Sequence, residues 1–113
     1  MLCLMIFITE KANAQCLGVS AIEIKKVVPE DYEAIKNRAI ELFYEDTVMV
    51  CYEINKQSNA YMLIFNYYVN QPDFDKNKLV KALVNWQGSK KFNDVNYALA
   101  LIEYKFSMRN VKQ

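Results

Sequence analysis

"TVMVCYEINKQSNAYMLIFNYYVN", residues 47–70, contains two runs rich in β-branched and aromatic side chains, separated by Lys56-Gln57-Ser58-Asn59. Read with a period of two, Val48, Val50, Tyr52 and Ile54 share one face of the first run. Tyr61, Leu63, Phe65, Tyr67 and Val69 share one face of the second, and Met62 and Ile64 point the other way. Two alternating runs joined by a short polar break are the pattern of a β-hairpin, so two strands are expected here.

Outward from that hairpin the elements alternate. Residues 16–28, "CLGVSAIEIKKVV", are β-branched and partly alternating, which predicts a first strand. Pro29 stands where a helix can begin, and Glu30, Asp31 and Glu33 suit the positive end of its dipole. Ile35, Ala39 and Leu42 then recur at three- and four-residue steps, predicting a helix to about Glu45. On the other side, Asp75 is placed to cap a second helix carrying Leu79, Ala82, Leu83 and Trp86, with Gly88 suited to end it. In "DVNYALALIEYKFSMR", residues 94–109, Val95, Tyr97, Leu99 and Leu101 alternate before the apolar face switches to Ile102, Tyr104 and Phe106. A strand with a bulge produces that switch; Leu99, Ile102 and Phe106 also fit a helical period.

The order is therefore β-α-β-β-α-β. With right-handed crossovers it folds as an α+β, ferredoxin-like two-layer sandwich: a four-stranded antiparallel sheet with two helices on one face. The first two strands are not neighbours in that sheet, which works against a bridge between Cys16 and Cys51.

The first residues read as an address. Leu2 to Thr9 is an apolar run the length of a signal-peptide core, and Ala12-x-Ala14 is the small-x-small pattern of a cleavage site. Residues 1–14 are thus expected to be a secretory signal shortened at its start, and residues 15–113 a single domain, periplasmic or extracellular. Were residues 1–14 instead a buried first strand, the protein would be cytoplasmic. The apolar run is far shorter than the roughly 20 residues of a membrane-spanning helix, so no transmembrane anchor is expected.

Composition narrows the chemistry. Hydrophobic content of 53% and charged content of 24% in 113 residues describe one ordinary globular domain. A formal charge of +1 gives no electrostatic basis for nucleic-acid binding, and the glycine-containing motif of RNA-recognition domains is absent from the aromatic run. There is no histidine, which removes the usual general base and the commonest metal ligand. No zinc-ligand spacing, phosphate loop or nucleophile elbow occurs, so neither a metal nor a cofactor is expected. Carboxylates gather at Glu30-Asp31-x-Glu33, at Glu45-Asp46, and at Asp73 and Asp75, positions that suit helix ends.

The aromatic stripe Tyr61, Phe65 and Tyr67 lies on a predicted central strand with no polar face, and these three are the expected binding residues. The function expected is an exported, non-catalytic module that pairs with itself or another protein through an open sheet face. The other reading is a small carboxylate-based enzyme or ligand-binding domain.

Overall fold

The computed structural model of the chain describes residues 16–88 and 94–111. Among them there are five helices and no strand: α1 (Val19–Val27), α2 (Pro29–Phe43), α3 (Thr47–Asn70), α4 (Lys76–Asn85) and α5 (Tyr97–Val111). The expected ferredoxin-like sheet is overturned, and with it the α+β class. Residues 1–14, expected to be a secretory signal, lie outside the described residues.

The correction turns on α3. The stretch expected to fold back as a hairpin is one 24-residue helix. Its polar break holds neither glycine nor proline, so nothing there favours the positive φ angles of a tight hairpin turn. The side chains that α3 buries are Val50, Glu53, Ile54, Gln57, Ser58, Ala60 and Ile64. Val50, Gln57 and Ile64 repeat every seven residues, and Glu53 and Ala60 do the same, which is the spacing of a helix stripe. Three of these buried side chains are polar, which hides the stripe from any count of apolar residues.

The other two expected strands are helices as well. In α1 the alternating Ile22 and Ile24 part company: Ile24 is buried with Ala21, whereas Ile22 is half exposed. In α5 Tyr97, Ala100, Leu101 and Tyr104 are buried at three- and four-residue steps, so the helical period wins over the bulged strand.

The chain divides into two compact units, with the boundary between Asn55 and Lys56. In the first, α1 packs against α2. Pro29 pushes the residue before it out of helical geometry, so α1 stops, Val28 is non-helical (φ −131°, ψ 71°), and α2 restarts with Pro29 in its first turn. The core is Leu17, Ala21, Ile24, Tyr32, Ile35, Ala39, Val50 and Ile54. The Lys25 Nζ sits 5.5 Å from the Tyr32 ring centroid, within cation–π range.

A disulfide joins Cys16 to Cys51, with Cα atoms 6.2 Å apart. The sheet topology argued against this bridge; a helical fold removes the obstacle. Asn55 reinforces it one turn further along α3. Its Nδ2 donates to the Cys16 carbonyl at 3.0 Å, and its Oδ1 accepts from the Gly18 N–H at 2.8 Å. One amide thus satisfies two backbone groups just before α1.

In the second unit α4 packs against α5. Asp75 caps α4 as its sequence position suggested, its carboxylate accepting from the Lys78 N–H at 3.1 Å. Gly88 does not end that helix in the left-handed region. It lies beyond the end of α4, where its N–H donates to the Asp94 carbonyl at 2.8 Å. The Asn96 N–H donates to the Trp86 carbonyl at 3.0 Å, making an antiparallel bridge at Gln87 and Val95. That bridge delivers the chain to the start of α5.

Candidate functional site

The second unit contains the three residues expected to bind, and it redistributes them. On a strand they would share a face. On α3, at about 100° per residue, Tyr61 and Phe65 are about 40° apart while Tyr67 is about 120° from Tyr61. Tyr61 and Tyr67 therefore occupy different parts of the helix surface, and Phe65 is 59% exposed.

Both tyrosines are held by α5. Tyr61 meets Tyr97 edge-on, with centroids 5.1 Å apart and planes at 83°. Tyr67 lies 6.1 Å from Tyr104, tilted by 59°. Phe74, in the loop before α4, continues the cluster at 6.2 Å from Tyr104 and 5.2 Å from Tyr68. Such pairs each contribute about 0.5–1.5 kcal/mol beyond area burial. Tyr61 and Tyr67 thus each meet a tyrosine of α5, and the three residues do not lie on one face of α3.

The start of α5 is fixed by α3. Gln57 Oε1 accepts from the Ala98 N–H at 3.1 Å, and the Asn96 carboxamide accepts from the Leu99 N–H at 3.2 Å. These are two of the N-terminal amides that a helix cannot satisfy internally. The middle of α5 is tied to the α4 cap, because the Asp75 N–H donates to the Tyr104 hydroxyl at 3.1 Å.

Anchored at its start and its middle, α5 presents a definite outer face. Leu99, Ile102 and Phe106 fall within about 60° of one another, nearly opposite the buried Tyr97, Ala100, Leu101 and Tyr104. Their exposures are 37%, 62% and 63%. Charges of opposite sign flank the stripe. Glu103 lies on one side, its carboxylate accepting from the Asn85 amide at 3.1 Å, and Lys105 lies on the other. The sequence signal for this face was the helical spacing of Leu99, Ile102 and Phe106, overshadowed by the alternation before it.

Four of the clustered carboxylates sit at helix starts. Glu30 and Asp31 occupy the first turn of α2. The Asp46 carboxylate accepts from the Met49 N–H at 3.1 Å at the start of α3, and Asp75 caps α4. Among the described residues no group of three metal-ligating side chains comes together, and no helix is long and apolar enough to cross a membrane. No protein-family model, curated protein or solved structure matches this chain.

Proposed function

We propose that the chain is an exported, non-catalytic module that pairs with a second copy of itself through the outer face of α5. The observation that carries this reading is the stripe of Leu99, Ile102 and Phe106, exposed on a helix whose opposite side is fully packed. Burying a side chain such as Ile or Phe contributes about 1.5–3 kcal/mol, so leaving this face in water forgoes several such contributions per copy.

A second copy suits the face because its two flanks differ in sign. When two such helices run parallel about a two-fold axis, opposite flanks meet. The acidic flank of each helix then lies toward the basic flank of the other, as at the outer positions of a parallel coiled coil.

Export is supported by two separate features. Leu2 to Thr9 with Ala12-x-Ala14 has the form of a secretory signal, and the Cys16–Cys51 bridge belongs to an oxidising compartment.

The pairing is tested by sedimentation velocity over an about hundredfold dilution range. The native protein is expected to shift from dimer to monomer, and the double variant Ile102→Glu, Phe106→Glu to be monomeric throughout with unchanged far-UV circular dichroism. A native protein that is monomeric at every concentration sinks the idea. Export is tested by the N-terminus and free-thiol content of the native product: a start at Gln15 with Cys16 and Cys51 oxidised is expected.

A further inference from the structure

A cavity of about 370 Å³ opens in the second unit between the end of α3, the loop before α4 and the last turns of α5. That volume falls inside the range of small-molecule sites, roughly 300–1,000 Å³. Neither the aromatic packing nor the outer stripe of α5 explains it. Its walls separate into two chemistries. Tyr67, Phe74 and Tyr104 supply ring surface, and Asp73, Lys105 and Arg109 supply charge.

The rings form a corner. Tyr104 stands at its centre, with Tyr67 tilted by 59° on one side and Phe74 by 44° on the other. Tilted rings leave faces and edges free for a third ring, at the offset or edge-on geometry that aromatic groups prefer. Tyr104 is itself buried, so the corner has a fixed base.

The loop that holds Phe74 is fixed on both sides. Its N–H donates to the Gln71 carbonyl at 3.3 Å, and the Gln71 N–H donates to the Tyr67 carbonyl at 3.1 Å. The next residue, Asp75, is pinned by its N–H on the Tyr104 hydroxyl and by its carboxylate on the Lys78 N–H. The ring wall is therefore organised before any ligand arrives, which lowers the ordering cost of binding.

Charge sets the sign of the ligand. Lys105 and Arg109 stand one turn apart on α5, so their heads reach the same side of the opening. Against them is the single carboxylate of Asp73, leaving the cavity one positive charge in excess. A planar guanidinium matches a carboxylate with two parallel hydrogen bonds, and an ammonium beside it adds a second donor.

We propose that this cavity binds an aromatic carboxylate, its ring in the corner of Tyr67, Phe74 and Tyr104 and its carboxylate on Arg109 and Lys105. Asp73 then faces the ligand from the opposite side, where it accepts from any amine that the ligand carries. An aromatic amino acid and a simple aryl acid share the recognised chemistry and differ at Asp73.

The experiment is an amide-resolved NMR titration of the full, oxidised protein with 3-phenylpropionate, phenylalanine and phenethylamine as probes. Saturable shifts at Phe74, Lys105 and Arg109 are expected with the acid. Binding of phenethylamine, which lacks the carboxylate, is expected to be at least about tenfold weaker. Phenylalanine binding more tightly than the acid assigns the amino acid; the reverse order assigns the simple acid.

Phe74→Leu, which keeps an apolar wall but removes the ring, is expected to weaken the acid about tenfold, as is Arg109→Gln. Amide spectra of both variants check that the fold is kept. Absence of saturable shifts with both acids, shifts mapping elsewhere, or equal binding of acid and amine overturns the proposal. If Phe74→Leu proves unfolded, loss of binding in a folded Arg109→Gln still decides it.

Discussion

Gln57 on α3 and Asn96 before α5 are joined side chain to side chain, the Gln57 Nε2 donating to the Asn96 Oδ1 at 2.9 Å across 39 residues of sequence. The same glutamine accepts from the Ala98 N–H, and the same asparagine oxygen accepts from the Leu99 N–H. Gln57 is 1% exposed, so water has no ready access to this network. A buried amide that uses both its donor and its acceptor orients the helix it holds.

The first prediction contrasts this residue with its neighbour. Gln57→Leu leaves the Ala98 N–H buried without its acceptor, and is expected to cost about 1–3 kcal/mol in urea unfolding. Hydrogen-exchange protection at Ala98 should fall with it. Ser58 is equally enclosed, but its Oγ has no hydrogen-bond partner. Ser58→Ala is therefore expected to be neutral or stabilising by up to about 1 kcal/mol. A large loss from Ser58→Ala, or none from Gln57→Leu, would contradict the assignment.

A second prediction concerns the turn between α2 and α3. The Asp46 N–H donates to the Phe43 carbonyl at 3.0 Å, closing a four-residue turn. Tyr44 in that turn has φ 52° and ψ −110°, the dihedrals of the first central position of a type II′ turn. Glycine takes that conformation freely; a tyrosine is strained there by about 1–3 kcal/mol. Its side chain is 80% exposed, so little packing would be lost. Tyr44→Gly should raise the urea midpoint, with a gain on the order of 1 kcal/mol. A lower midpoint counts against the strain.

The third prediction is a pH dependence. Burial raises the Tyr32 hydroxyl pKa above its ordinary value, with the Glu33 carboxylate adding in the same direction. A group whose folded pKa is raised contributes stability that is complete below the unfolded pKa, about 10, and lost as pH climbs through the folded value. Urea midpoints should therefore fall on the alkaline side of about pH 10. Tyr32→Phe should flatten that fall while leaving the neutral-pH spectrum intact. Identical alkaline profiles in the two proteins would refute it.

Local punctuation in this chain could be read residue by residue, because it acts over a few bonds. Pro29 starts α2 by restricting its own φ and that of Val28, and Asp75 caps α4 by reaching an amide three residues on. The apolar spacing of Ile35 and Ala39 likewise placed α2 without help from any distant residue.

Residues 47–70 were different. Their β-branched and aromatic content expresses how side chains pack on a surface, and that surface is built by other parts of the chain. Gln57 and Ser58 look like a turn until Asn96, just before α5, arrives to accept from the Gln57 amide; then they belong to a buried helical stripe. Tyr61 and Tyr67 share a face at period two, yet they part by about 120° and meet Tyr97 and Tyr104 once α3 is helical. The 35-residue gap between Cys16 and Cys51 says nothing of distance, and the folded chain brings their Cα atoms to 6.2 Å. Caps and breaks are intraresidue or near-neighbour sterics, so order along the chain settles them. Choosing helix over strand for an apolar segment depends on which distant groups bury it and satisfy its polar atoms, and folding alone supplies those partners.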